Sequence, residues 1–209
     1  MKLQRSAADY MPARRSLKAL REAAAHCRGC DLYKGATQTV FGDGKARAKL
    51  MFVGEQPGDS EDRAGEPFVG PAGKLLRKAM VDAGIDPGDT YITNAVKHFK
   101  YVVRGKRRIH QTPRVIELHA CRPWLDAEIK QIKPDVIVAL GSTAAKALFG
   151  PEFRVTTQRG HVFTSMDIAA NVLATVHPSS ILRARDDESR HSELAKFVAD
   201  LKRVAAINP

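Results

Sequence analysis

The chain has 209 residues, 44% of them hydrophobic, which suits one sizeable folded core and excludes a largely disordered protein. Lysine and arginine total 34 against 23 aspartates and glutamates, and the resulting charge of +11 favours a polyanionic partner, nucleic acid first. No window approaches the roughly 18 apolar residues of a membrane span, and the opening MKLQRSAADYMPARRS has no apolar leader core, so a cytoplasmic protein away from membranes is expected.

In chain order, Ser16 is placed to cap a first helix carrying Leu17, Leu20 and Ala24 on one face and ending near HCRGC. This helix and the C-x-x-C segment, residues 14–35, are expected to dock onto the remainder of one monomeric domain spanning 1–209. The apolar run LMFV at 50–53 reads as a strand, and residues 71–83, opening with Pro71, read as a helix. A second strand is expected in TYITNAV (90–96), followed by a segment with no packing pattern that contains GKRRIH (105–110) and is taken as a loop. A long helix over 114–132, a strand in DVIVAL (135–140), a short helix over 142–148 and a strand in NVLATV (171–176) complete the alternation. Leu194, Phe197, Val198, Leu201 and Val204 then line one face of a C-terminal helix.

Alternating strands and helices with nearly continuous apolar strands predict a three-layer α/β/α fold around a four-stranded, mainly parallel sheet. Such sheets bind ligands beyond the carboxyl ends of their strands. The residues there are GEQPG, Asn94 with Lys97 and His98, the Gly-Ser pair after the third strand, and HPSS. A carboxylate, two amides and a histidine converging at strand ends predict an active-site rim. GPAGKLL (70–76) is not a phosphate loop, because no glycine stands in register and Lys74 is followed by Leu75.

GEQPG (54–58), PFVGPAGKLL (67–76), TNAVK (93–97), ACRPWL (120–125) and HPSSILR (177–183) together resemble the iron–sulfur branch of the uracil-DNA glycosylase superfamily. The GKRRIH insert resembles that of its UdgX subclass, whose members become covalently attached to uracil-containing DNA. The resemblance implies that Phe68 stacks on uracil and that Asn94 reads its O4 and N3–H edge, a pattern cytosine reverses. It implies that His177 stabilises the departing base anion, as an oriented donor does best in the transition state. Glu55 and Gln56 are expected beside the sugar and base, Ser179 at a phosphate, and Arg183 in the gap left by the flipped base. Asp59 is a further candidate carboxylate.

The three cysteines form a poor disulfide framework. By the resemblance, Cys27, Cys30 and Cys121 hold a structural 4Fe–4S cluster. Lys97–His98 stands where the relatives carry Lys-Cys, which makes His98 the expected fourth ligand. Tetrahedral zinc suits the same donors, and His26 and His119 are competing ligands. Lys106, Arg107 and Arg108 are expected on phosphates, and His110 is a candidate nucleophile toward C1′ of the deoxyribose. The expected partner is uracil-containing DNA, with single strands accepted. Two other functions fit the same sequence: an ordinary hydrolytic uracil-DNA glycosylase with turnover, and a noncatalytic metal-stapled DNA-binding module.

Overall fold

The computed structural model describes residues 5–165 and 170–207. After a 3-10 turn at Ala7–Tyr10, α1 (Leu17–Ala24) begins where Ser16 accepts the Ala19 N–H at 3.2 Å, the N-cap that its sequence position predicts. Next come β1 (Asp43–Gly44), β2 (Leu50–Gly54), α2 (Asp59–Ala64), α3 (Pro71–Asp82) and β3 (Thr90–Asn94). The chain then forms β4 (Tyr101–Arg104), β5 (Arg107–His110), α4 (Val115–Ile132), β6 (Val136–Leu140) and α5 (Ser142–Phe149). It closes with α6 (Val155–Gln158), β7 (Val162–Ser165), β8 (Ala170–Thr175), α7 (Pro178–Leu182) and α8 (Asp187–Ile207).

The main sheet runs β1-β3-β2-β6-β8-β7. Its four inner strands are the expected ones and pair in parallel, with Gly54 opposite Asn94 and Leu140 opposite Thr175. The expected four strands become six among the described residues, because β1 and β7 add antiparallel edges. The two-residue β1 is too short to show an alternation.

Alternation along the strands builds both covering layers. Met51, Val53, Ile137, Ala139, Val172 and Ala174 face Leu125 and Ile129 of α4 and Ala144 and Ala145 of α5. Phe52, Ile92, Val138, Leu140 and Leu173 face Leu76 and Met80 of α3 and Phe197, Leu201 and Val204 of α8. A third cluster joins Leu20 and Ala24 of α1 to Trp124 and Ala127 of α4, with Cys27 and Cys121 inside it, so the N-terminal segment packs on α4. Truncating a buried leucine such as Leu20 to alanine costs about 2–5 kcal/mol in this kind of environment. Among the described residues no helix is long and apolar enough to cross a membrane.

The segment carrying GKRRIH is a β-hairpin, not a loop: β4 and β5 pair antiparallel, Tyr101 opposite His110 and Val103 opposite Arg108. Gly105, at φ +60°, occupies the first turn position, where a two-residue hairpin favours glycine. Pairing puts Tyr101, Val103, Arg108 and His110 on one face. Phe99 and Tyr101 stack at 5.1 Å to form an aromatic floor. The His110 ring lies 6.2 Å from Phe99, and the Arg108 guanidinium lies 5.0 Å from the Tyr101 ring centre.

Candidate active site

The parallel register aligns the strand ends, so the segments leaving β2, β3, β6 and β8 meet at one rim. Gly54 is required there: a Cβ on it would come within 2.4 Å of Asn94 Oδ1 and 2.6 Å of Phe68 Cζ. Phe68 adopts φ +56° and is buried, its ring stacked 5.9 Å from that of His177 at 29°. Gly73 lets α3 approach it, since a Cβ there would overlap the Phe68 carbonyl oxygen at 1.6 Å. That close approach, and not phosphate binding, is the structural role of the glycine in GPAGKLL.

Asn94 is 2% exposed, and its Oδ1 is the buried side-chain polar atom that lacks a hydrogen-bond partner among the described residues. Leaving such an atom unsatisfied costs about 1–3 kcal/mol, which a ligand donor would relieve. Behind it, Lys97 Nζ donates to the Asn94 carbonyl at 2.7 Å and pairs with Glu128, both charges fully buried. Glu128 also accepts from Tyr91, Thr93 and the Gly42 N–H, so the ion pair lies in a saturated hydrogen-bond network.

His177 caps α7. Its Nδ1 accepts the Ser179 N–H at 3.1 Å and lies 2.7 Å from the Ser179 hydroxyl. This assigns the ring proton to Nε2. Burial pushes the imidazole down to about 4; Arg183 and His110 act in the same direction and Glu55 opposes them. Ser179 was expected at a phosphate, but its hydroxyl and N–H both turn inward to the histidine. Arg183 is exposed at the end of α7 beside Leu182, which is 38% exposed.

Glu55 Oε1 lies 3.2 Å from His110 Nε2, and Oε2 accepts the hydroxyl of Thr143. Burial alone would raise this carboxyl, but the bonds from His110 and Thr143, with the fields of His110 and His177, hold it below the usual carboxylate range. Thr143 was missed by sequence reasoning. The Gly-Ser pair drew attention to that strand end, but nothing in its sequence distinguishes the threonine one residue further on.

Three more of the expected residues are held by partners within the protein. The Gln56 amide is engaged by the hairpin: its Oε1 accepts the Lys100 N–H at 3.0 Å and its Nε2 donates to the carbonyls of Lys100 and Gln111 at 3.2 and 3.1 Å. The amide therefore clamps both strands of the hairpin at its base. Arg108 is not free for phosphate, because it folds back onto α2, pairing with Asp59 and, at 2.6 Å, with the fully buried Asp62. Asp59 in turn is engaged by Arg63 at 3.0 Å and by Arg108, which makes it a clamp for the hairpin and not a free carboxylate. Lys106 and Arg107 remain exposed at the hairpin tip, and among the described residues neither forms an ion pair.

Cys27, Cys30 and Cys121 share one core cluster, with Cys30 half-buried at its edge. Trp124 Nε1 and the Lys97 N–H each donate to a sulfur, of Cys27 and Cys121 respectively, at 3.3 Å. Burial pushes the Cys121 thiol up to about 12, so an anionic sulfur there requires a compensating cation. The His98 ring, pushed down to about 4 by burial, is directed at the Thr39 hydroxyl at 3.0 Å. Among the described residues no three His, Cys, Asp or Glu side chains are arranged to hold a single metal ion. The donor chemistry and the N–H···S bonds fit a thiolate-held group, while the expected fourth ligand is turned to another partner.

The chain is similar to known uracil-DNA glycosylases. The type-4 uracil-DNA glycosylase of Thermotoga maritima is 39% identical over 165 residues, covering 78% of this chain and 82% of the relative. That of Archaeoglobus fulgidus is 39% identical over 178 residues, 82% of this chain and 86% of the relative. A type-5 uracil-DNA glycosylase of Pyrobaculum aerophilum is 29% identical over 164 residues, with coverages of 71% and 68%. Residues 41–202, from the entry to the sheet through most of α8, match the family described as the uracil DNA glycosylase superfamily, and the chain belongs to it.

Proposed function

We propose that this protein excises uracil from DNA and then captures the abasic deoxyribose covalently through His110. The Glu55–His110 contact carries the proposal: it puts an imidazole, on a clamped hairpin, against the carboxylate at the rim. Asn94 Oδ1 would accept uracil N3–H while its amide donates to O4; cytosine offers the opposite pattern and would leave buried groups unpaired. Phe68 would supply an apolar face for the flipped base, and Arg183 and Leu182, exposed at the end of α7, would fill the gap it leaves.

Cleavage breaks the C1′–N1 bond, and its electron pair leaves with uracil. The neutral His177, donating from Nε2, stabilises the resulting anion. Ionised Glu55 stabilises the positive sugar. A ring nitrogen of His110 then supplies the pair for a new C1′–N bond, and the proton the cationic ring must shed passes to Glu55 and on to solvent. Uracil takes its proton from water. With a neutral imidazole attached, expulsion would need a poor imidazolide leaving group, so the adduct persists.

We further propose that Cys27, Cys30 and Cys121 hold a 4Fe–4S cluster, with His98 exchanging Thr39 for the fourth position. The three cysteines share one core cluster, and thiolate ligation is the chemistry by which such clusters are held. When bound, the group supplies a structural tie between the N-terminal segment and α4. The relatives' designation as type-4 uracil-DNA glycosylases favours a second reading, hydrolysis with turnover. Quantifying uracil released from excess single-stranded DNA separates the two. Release that stops at one uracil per protein molecule is expected; sustained release would replace capture with turnover.

A further inference from the structure

The two oxygens of Glu55 have different partners. Oε1 faces the His110 ring, while Oε2 accepts the hydroxyl of Thr143, a buried residue in the first turn of α5. The geometry of that turn is fixed by the sheet. The Gly141 N–H donates to the Thr175 carbonyl at 2.9 Å, and Gly141 takes φ +89° to leave β6. A Cβ at Gly141 would lie 3.0 Å from the Cβ of His177, so the same turn also lies against that histidine. One short segment, Gly141–Ser142–Thr143, therefore touches two of the residues that the proposed chemistry uses.

A glutamate leaving a strand end has three side-chain torsions, and a contact to a half-exposed histidine on a hairpin fixes them weakly. The Thr143 hydroxyl comes from a rigid helix start and is the second hydrogen-bond donor that holds the carboxylate below its ordinary range. We infer that Thr143 is a positioning residue for the glycosylase reaction, its hydroxyl locking Glu55 so that Oε1 is directed at the His110 ring and the sugar. This inference rests on the role proposed for Glu55, but not on whether His110 or water completes the reaction.

The isosteric Thr143→Val variant removes the hydroxyl and keeps the shape, Thr143→Ser restores the hydroxyl without the methyl, and Thr143→Ala checks the result should valine fail to fold. Uracil release and adduct formation are measured separately on a single-stranded uracil oligonucleotide between pH 4.5 and 8. Thr143→Val is expected to slow uracil release roughly 10- to 100-fold with DNA affinity unchanged. Its acid limb should move to higher pH, because a carboxylate deprived of a donor ionises less readily. Thr143→Ser is expected within a few-fold of wild type in rate and pH profile.

Wild-type rate and pH profile in both the valine and alanine variants would overturn the inference. So would a serine variant as slow as valine, which would assign the effect to the methyl group's packing. If wild type releases uracil with turnover and forms no adduct, covalent capture fails, and the Thr143 comparison is then read on the turnover rate.

Discussion

The Nδ1 atom of His177 accepts the Ser179 N–H, which leaves Nε2 to carry the single proton of a neutral ring. A cationic histidine would be a stronger donor, but burial between Phe68 and the end of β8 opposes the charge and lowers the imidazole to about 4. Between the ordinary value of 6.5 and 4, the unfolded chain binds this proton and the folded chain does not. Folding stability is therefore complete above about pH 6.5 and falls as the pH drops towards 4. His177→Gln, which cannot titrate, is expected to flatten that decline by about 1–3 kcal/mol between pH 7 and 4.5 in urea unfolding. An unchanged slope would mean that the ring is not held neutral.

At the scale of elements, the β4–β5 hairpin is held at several points. Gln56 joins its two strands at the base, Arg108 ties it to α2, and Lys100 pairs with Glu117 of α4 at 2.9 Å. The Tyr101 hydroxyl donates to the Gly35 carbonyl at 2.8 Å, beyond the C-x-x-C turn. Gln56→Ala is expected to slow capture by at least about tenfold, since small misplacements of reacting groups cost that much or more. Uracil release should change less, and that contrast is the check; equal losses would place Gln56 at the base instead. The hairpin was legible in principle: Tyr-Val-Val-Arg and Arg-Arg-Ile-His flank a Gly-Lys pair, a two-residue turn signal obscured by the density of charge. The inner strands were legible as nearly continuous apolar runs, and the longer helices by the spacing of their apolar residues. The destinations of Gln56 and Arg108 were not, because each depends on a partner more than 40 residues away that only the tertiary fold supplies.

Across the whole molecule, the buried Lys97–Glu128 pair lies between the rim and the cysteine cluster. Lys97 holds the Asn94 carbonyl through its ammonium and the Cys121 sulfur through its backbone N–H. Glu128→Ala would leave that ammonium buried without a counter-charge, and a loss of about 3–5 kcal/mol in urea unfolding is expected. A loss below about 1 kcal/mol would show that the network is dispensable. The site itself was half legible. Asn94, His177 and Glu55 announce themselves as polar residues ending apolar strands, whereas Thr143 is concealed in an ordinary helix start and His98 gives no sign that it faces Thr39. Capture at His110 is tested most directly on a denaturing gel. Wild-type protein and His110→Ser are each mixed with a labelled single-stranded oligonucleotide bearing one uracil, then boiled in SDS beside a uracil-free control. A uracil-dependent band at protein-plus-DNA mass is expected for wild type alone, with peptide mapping placing the adduct on His110. A strand that alkali cuts at the uracil site with no such band, or an adduct that survives His110→Ser, would contradict it.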